Sequence, residues 1–380
     1  MYLTPDFLDT YSDFPPHMTE LGKFTFLRTY SRVVGEPGNE RRETYKETVA
    51  RATNYNVGLV GDLQTFEAKK SEAEAMFRTV YNLNQFPSGR TMWVGGAESG
   101  AAEKHPTSQF NCSYTKTESW ADLSDLFYML MVGTGVGFRC SQDMASKLAP
   151  LYQNISFTST STYVAPEDRL EFTETRINDS NGLTITVGDS KEGWVQALTY
   201  YFEFLSQTWL DGEILIELDV SNVRPAGEKL KTFGGRASGP QPLIEMFEAI
   251  TNIITGEFYH YDGLGPSASL INADYVHLRP IHVLDIGNFI GNNVVVGGVR
   301  RTAEIFICDP DDYESIFAKF GINGIWGQDG FDKLDRIENA ARAAGVPLPG
   351  WWEDIKVQYY QLDDGTLILA RDVEHPEVNL

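Results

Sequence analysis

"FNCSYTKTESWADLSDLFYMLMVGTGVGF" (110–138) decides how this chain folds. "FNCSYT" has the β-branched and aromatic content of a strand. "SWADLSDLFYMLM" carries apolar residues at helical spacing, with Ser119 placed as an N-cap and Gly133 breaking the helix. The same alternation recurs downstream. "ISFTSTSTYVAP" and "LTITVGDS" read as strands and "GWVQALTYYFEFLSQTWL" as an amphipathic helix. "EILIELDVSNVRP" is a buried strand entering a turn, and "PLIEMFEAITNII" is another helix. "VLDIGNFIGNNVVVGGVRRTAEIFICDPDD" holds helix, loop and strand. Strands alternating with helices favour a parallel or mixed α/β sheet or barrel.

Upstream, residues 20–85 read as mostly helical, whereas "PSGRTMWVGGAESGAAEKHPTSQ" (87–109) is punctuated by glycine and proline and reads as loop with short extended pieces. With 380 residues, 42% of them hydrophobic, the chain can bury a large core in one to three domains. The formal charge of −22 repels nucleic-acid backbones, so a DNA- or RNA-binding module is not expected. Neither a signal peptide nor a bilayer-length apolar run is present, and the expectation is a cytoplasmic protein without a membrane partner.

Three cysteines, Cys112, Cys140 and Cys308, are too few and too scattered for a disulfide framework. Cys140 and Cys308 read as core or strand residues. Cys112 is either a small buried hydrophobe or a thiol kept for chemistry. The six histidines form no i,i+4 pair, so no metal site is expected. "VGTGVGF" (132–138) lacks the lysine and hydroxyl of a P-loop and the spacing of a dinucleotide fingerprint. It reads as a tight turn in which Gly133, Gly135 and Gly137 supply positive φ or close approach. Two further glycine-rich loops embed cations: "KTFGGRASGP" with Lys231 and Arg236, and "GNNVVVGGVRRTAE" with Arg300 and Arg301 after Gly297–Gly298. Backbone nests and guanidinium forks of this kind suit phosphate oxygens. Two such loops beside the glycine turn, in an acidic chain, point to a phosphorylated small molecule held at more than one place.

The ordered series "RTYSR" (28–32), "FPSGRTMWVGG" (86–96), "FNCS" (110–113), "GTGVGF" (133–138), "VGDSKEGW" (187–194), "VRPAGEKLKTFGGRASGP" (223–240) and "DIGNFIGNNVVVGGVRRTAEI" (285–305) resembles the ribonucleotide reductases. Among them it is most similar to the monomeric, adenosylcobalamin-dependent (class II) ribonucleoside-triphosphate reductases. The resemblance implies the N-terminal portion of a ten-stranded α/β barrel. A mainly helical segment (1–105) would precede the first half-barrel (106–380), which would carry an effector-binding insertion at about 150–285.

Cys112 matches one of two cysteines oxidised to a disulfide as the ribose 2′-hydroxyl leaves as water. Asn111, Ser113, Gly135 and Arg300 fall at substrate positions. Asp189, Ser190, Lys231, Arg236, Gly297, Gly298 and Arg301 fall at effector positions. The implied cofactor is adenosylcobalamin, with a dNTP or ATP as specificity effector. The implied partners are a ribonucleotide substrate and a thioredoxin-like reductant.

The family's N-P-C-x-E motif, which carries the thiyl cysteine, does not occur. The expectation is therefore a C-terminal reductase chain acting in trans. No ATP-cone precedes the first motif, so overall activity control by ATP or dATP is not expected. Two alternatives stay open: a catalytically inactive dNTP-binding regulatory protein, and part of a class I-type large subunit.

Overall fold

The computed structural model describes residues 1–36, 38–178, 182–228, 230, 236–256, 274–296, 299–300, 303–310, 312, 315, 325–326, 336, 338–348, 359–361 and 367–369. The chain forms two compact units. The first comprises Met1–Ser113, Val132–Gly135 and Lys229–Arg236; the second comprises Tyr114–Met131, Val136–Glu228 and Ala237–Leu380.

Helices α1 (Glu20–Thr29), α2 (Tyr45–Gly58) and α3 (Phe66–Tyr81) dominate the first unit, as the apolar spacing of residues 20–85 predicts. Helix α2 starts at a capping box, in which the Thr44 hydroxyl accepts from the Glu47 N–H and the Glu47 carboxylate accepts from the Thr44 N–H. Its buried face (Tyr45, Val49, Ala52) packs with Phe26, Phe77, Val80 and Tyr81. Residues 87–109 depart from the expectation of loop with extended pieces. They form helix α4 (Gly89–Val94), a helical turn at Ala101–Lys104 and a 3-10 turn at Pro106–Gln109. Local caps outweigh the glycines here: Ser88 accepts from the Thr91 N–H, and Pro106 supplies a preset φ at a first helical position.

The second unit holds most of the core. Strand β1 (Cys112–Lys116) leads into α5 (Ala121–Met131), which is followed by strand β2 (Gly135–Arg139). Ser119 does not cap α5 with its hydroxyl; that hydroxyl donates to the Asp122 carboxylate, which also accepts the Glu118 and Ser119 N–H groups. Of the glycine cluster, Gly133 alone has positive φ, at 89°. Gly135 and Gly137 lie inside β2.

A four-stranded sheet follows, built from β3 (Ile155–Thr160), β4 (Glu174–Ile177), β5 (Leu183–Thr186) and β6 (Ile214–Asp219) in the order β3-β6-β5-β4. β6 runs parallel to both neighbours, pairing Ile155 with Ile214 and Leu183 with Ile216, while β4 is antiparallel. Ile214, Ile216 and Leu218 are buried beside helices α6 (Lys191–Leu205) and α7 (Gln241–Thr255). In α7 the buried Leu243, Phe247, Ile250 and Ile254 recur every three or four residues, as one helix face requires.

Helix α8 (Pro280–Asn293) leads to β7 (Glu304–Ile307), which joins a three-stranded sheet in the order β7-β2-β1 and runs parallel to β2. α8 lies close to that sheet because Gly287 and Gly291, one turn apart, present no side chain. A Cβ at Gly287 would meet the Phe138 ring, and one at Gly291 the Glu304 carboxylate. The expected barrel is not closed among the described residues.

Candidate active site around Cys112

Strand β1 alternates, exposing Cys112, Tyr114 and Lys116 while Ser113 and Thr115 are half-buried. Cys112 is thus a free, exposed thiol at the start of a strand. Of the two readings the sequence left open, burial is excluded. The Gly135 N–H donates to the Asn111 carbonyl at 2.9 Å, and the Ser113 hydroxyl faces the Gly135 carbonyl at 3.4 Å. The structure therefore brings Asn111, Cys112, Ser113 and Gly135 together.

Of the other two thiols, Cys140 is buried and Cys308 half-buried. Burial, then Asp312 and Asp309, push the Cys140 thiol up to about 12. Burial followed by Asp312 pushes Cys308 up to about 11. Both stay protonated at neutral pH and are poor nucleophiles. Around Cys112 the donor set is one thiol, one hydroxyl and backbone groups. That set fits a sugar hydroxyl. Among the described residues no group of three His, Cys, Asp or Glu could hold a metal ion.

Helix α4 grips the approach to each strand. The Ser88 hydroxyl donates to the Gln109 carbonyl at 3.5 Å, three residues before Cys112. Arg90 Nη2 donates to the Gly133 carbonyl, two residues before Gly135. The Arg90 guanidinium lies 5.8 Å from the Trp93 ring centroid, and burial lowers its pKa. Gly89 lies close to Tyr30, whose ring a Cβ would meet at 2.9 Å. Nearby, Arg51 Nε and Nη2 bond the Glu43 carboxylate at 2.7 and 2.8 Å, and its other donors reach the Gly95 and Met92 carbonyls.

Asp189 and Ser190 occupy a closed environment in the second unit. Asp189 accepts from Arg224 Nε at 2.9 Å and from the Arg224 N–H at 3.1 Å, and it pairs with Arg169 at 3.4 Å. Arg169, with 4% of its side chain exposed, also bonds Glu228 through two nitrogens at 2.9 and 3.1 Å. The Ser190 hydroxyl accepts the Gly193 N–H and donates to the Glu171 carbonyl. Backbone packs tightly over this turn: a Cβ at Gly188 would lie 2.5 Å from the Glu171 oxygen.

Arg236 is exposed beside a backbone rung in which Gly227 and Glu228 exchange hydrogen bonds with Ala237. Arg300 pairs with Val295 between two antiparallel two-residue strands, Val295–Val296 and Val299–Arg300. Lys231, Gly297, Gly298 and Arg301 lie outside the described residues.

Ser88, Arg90, Arg169 and Arg224 were not singled out from the sequence. Ser88 and Arg90 lay inside a quoted motif, and a hydroxyl before a short helix start was the available signal. Arg224 also lay inside a quoted motif (223–240) and Arg169 in none, and neither carried a signal of its pairing with Asp189, which is 35 and 20 residues away.

Residues 3–97 match the family described as the ribonucleotide reductase alpha domain. Residues 153–254 match the insertion domain of B12-dependent ribonucleotide reductase. The adenosylcobalamin-dependent ribonucleoside-triphosphate reductase of Lactobacillus helveticus is 30% identical over 341 residues, covering 80% of this chain and 43% of that protein. Its counterpart in Lactobacillus leichmannii is 30% identical over 349 residues, covering 83% of this chain and 45% of that protein. A crystal structure of a B12-dependent (class II) ribonucleotide reductase superposes with a TM-score of 0.63 at 25% identity, covering 83% of this chain and 46% of that one. The chain spans less than half the length of these relatives.

Proposed function

Because the chain belongs to the class II, adenosylcobalamin-dependent ribonucleotide reductases and spans less than half of their length, we propose that it carries the part of a ribonucleoside-triphosphate reductase that presents one redox thiol and the effector and base-selecting loops. Turnover then requires the remaining length that the relatives possess, including a second thiol and a thiyl-forming cysteine. In this reading β1, β2 and β7 are strands of the reductase barrel. Cys112 and the second thiol are oxidised to a disulfide. The electrons reduce C2′ of the ribose, and the 2′-hydroxyl leaves as water. A dithiol reductant of the thioredoxin type restores both thiols. Asn111, Ser113 and the Gly135 backbone lie against the sugar, Arg300 near the base.

The effector reading of Asp189 and Ser190 takes a positioning form. Their oxygens bond Arg224, Arg169, Gly193 and Glu171, so they shape the insertion, and Lys231, Arg236, Gly297, Gly298 and Arg301 are left as the direct dNTP contacts. The groups beside Cys112 suit a sugar and provide no cradle for a corrin ring. Adenosylcobalamin, which supplies the initiating radical in the relatives' named activity, would therefore bind through the remaining length, and no step here is routed through it.

One observation carries the proposal: of three thiols, the one at the matched strand position is exposed, while Cys140 is buried and Cys308 half-buried with both held protonated. The test combines this chain with the remaining length of the Lactobacillus helveticus relative, by co-expression or fusion. Formation of deoxyribonucleotide that depends on adenosylcobalamin and dithiol is the expected result. Cys112→Ser should abolish multiple turnovers while dNTP binding persists; retained turnover would sink the assignment. Nucleotide binding with no turnover would favour a regulatory protein instead.

A further inference from the structure

Arg90 is a cation at an uneconomical place. Burial lowers its pKa, and among the described residues no carboxylate pairs with it. Arg51, in the same unit, shows the usual arrangement, with the Glu43 carboxylate filling its fork. An apolar side chain would occupy the volume of Arg90 without the cost of desolvating a charge. What the guanidinium supplies is direction: it donates to the Gly133 carbonyl while lying over Trp93, which a compact ammonium does less well. The turn is shaped to receive it. Gly133 has φ of 89°, and a Cβ there would lie 2.6 Å from Arg90 Nη1. From Gly133 the backbone reaches Gly135, whose N–H bonds the Asn111 carbonyl next to Cys112. Two residues back on the same helix end, Ser88 holds Gln109, upstream of the same thiol.

We propose that Arg90 is a positioning residue for Cys112: with Ser88 it makes α4 a bracket that fixes both the entry to β1 and the glycine turn beside it. What the thiol then does rests on the reductase reading above; the positioning itself does not. Arg90 acts through backbone carbonyls and touches no reacting atom.

The experiment uses the full chain with Arg90→Met, which removes the donor, and with Arg90→Gln and Arg90→Lys, which retain one. Amide hydrogen exchange at Gly135 should quicken by about three- to tenfold in Arg90→Met, the worth of one net hydrogen bond. Exchange in α3 should stay at the wild-type rate. The Cys112 reaction with an aromatic disulfide reagent should change by about threefold or more in the same variant. Arg90→Gln and Arg90→Lys should fall between Met and wild type; if Arg90→Met does not fold, Gly135 exchange faster than wild type in both decides the matter. Equal Gly135 exchange and equal thiol rates across the series would overturn the proposal.

In the reconstituted assembly, kcat should fall with KM for the ribonucleotide unchanged. A raised KM with kcat kept would make Arg90 a substrate contact and overturn the positioning role. Absence of turnover in the wild-type assembly would overturn the reductase reading, and the exchange and thiol rates would still decide the role of Arg90.

Discussion

Two glycine turns of similar sequence, "VGTGVGF" at 132–138 and "VGDSKEGW" at 187–194, end in opposite states. Around the second, charges meet opposites: Asp189 pairs with Arg224 and Arg169, and Arg169 with Glu228. The Ser190 hydroxyl both donates and accepts, and backbone fills the space a side chain would need at Gly188. Around the first, an arginine is spent on a carbonyl, and the adjoining strand leaves a thiol facing solvent. A turn that satisfies all its own groups is a joint. One that leaves a reactive group exposed beside a rigid backbone has room for a substrate.

The largest way to break this contrast is Asp189→Ala. It strips Arg169 and Arg224 of a shared carboxylate, and loss of about 3–5 kcal/mol is expected for breaking a buried pair. Denaturant titration measures it, and a loss under 1 kcal/mol would mean the network is not a joint. Next comes Gly188→Ala, which sets a methyl against the Glu171 and Phe172 backbone and should cost about 1–3 kcal/mol by overpacking.

Alkaline pH sharpens the contrast between thiols. Burial raises the Cys140 pKa in the folded state, so its stabilising contribution is complete below the unfolded thiol value and is lost as pH rises toward about 12. The slope is at most about 1.4 kcal/mol per pH unit. Alkylation at neutral pH, followed by peptide mapping, should mark Cys112 and spare Cys140 and Cys308 until the protein is unfolded. Smallest of all, Cys112→Ser should alter stability by less than about 0.5 kcal/mol, as for an exposed residue without partners to lose. A larger shift in melting temperature would show that the thiol serves the fold.

Periodic segments were legible before any coordinates. The strand at Cys112, helix Lys191–Leu205 and helix Gln241–Thr255 carry unbroken patterns that tertiary context only had to accept. Residues 87–109 misled because glycine and proline outweigh short-range capping when read by composition, although Ser88 and Pro106 set helical turns there. The sequence left Cys112 as either a buried residue or a working thiol, and its exposure is seen only in the structure. The Asp189 network was illegible for a different reason. It joins residues up to 59 positions apart, and no local pattern records a partner at that distance. Nothing local in the sequence marks Gly287 and Gly291; only the sheet beneath them shows why neither can carry a side chain.

The rung between Gly227, Glu228 and Ala237 has a consequence for how this protein can vary. Two backbone hydrogen bonds hold the ends of the intervening segment side by side, whatever lies between them. Closing a longer span then costs little more, only about 0.6 kcal/mol for each doubling of its length. The rung is thus a fixed root for the span it closes, and a change of length there alters reach while β6 keeps the same point of departure.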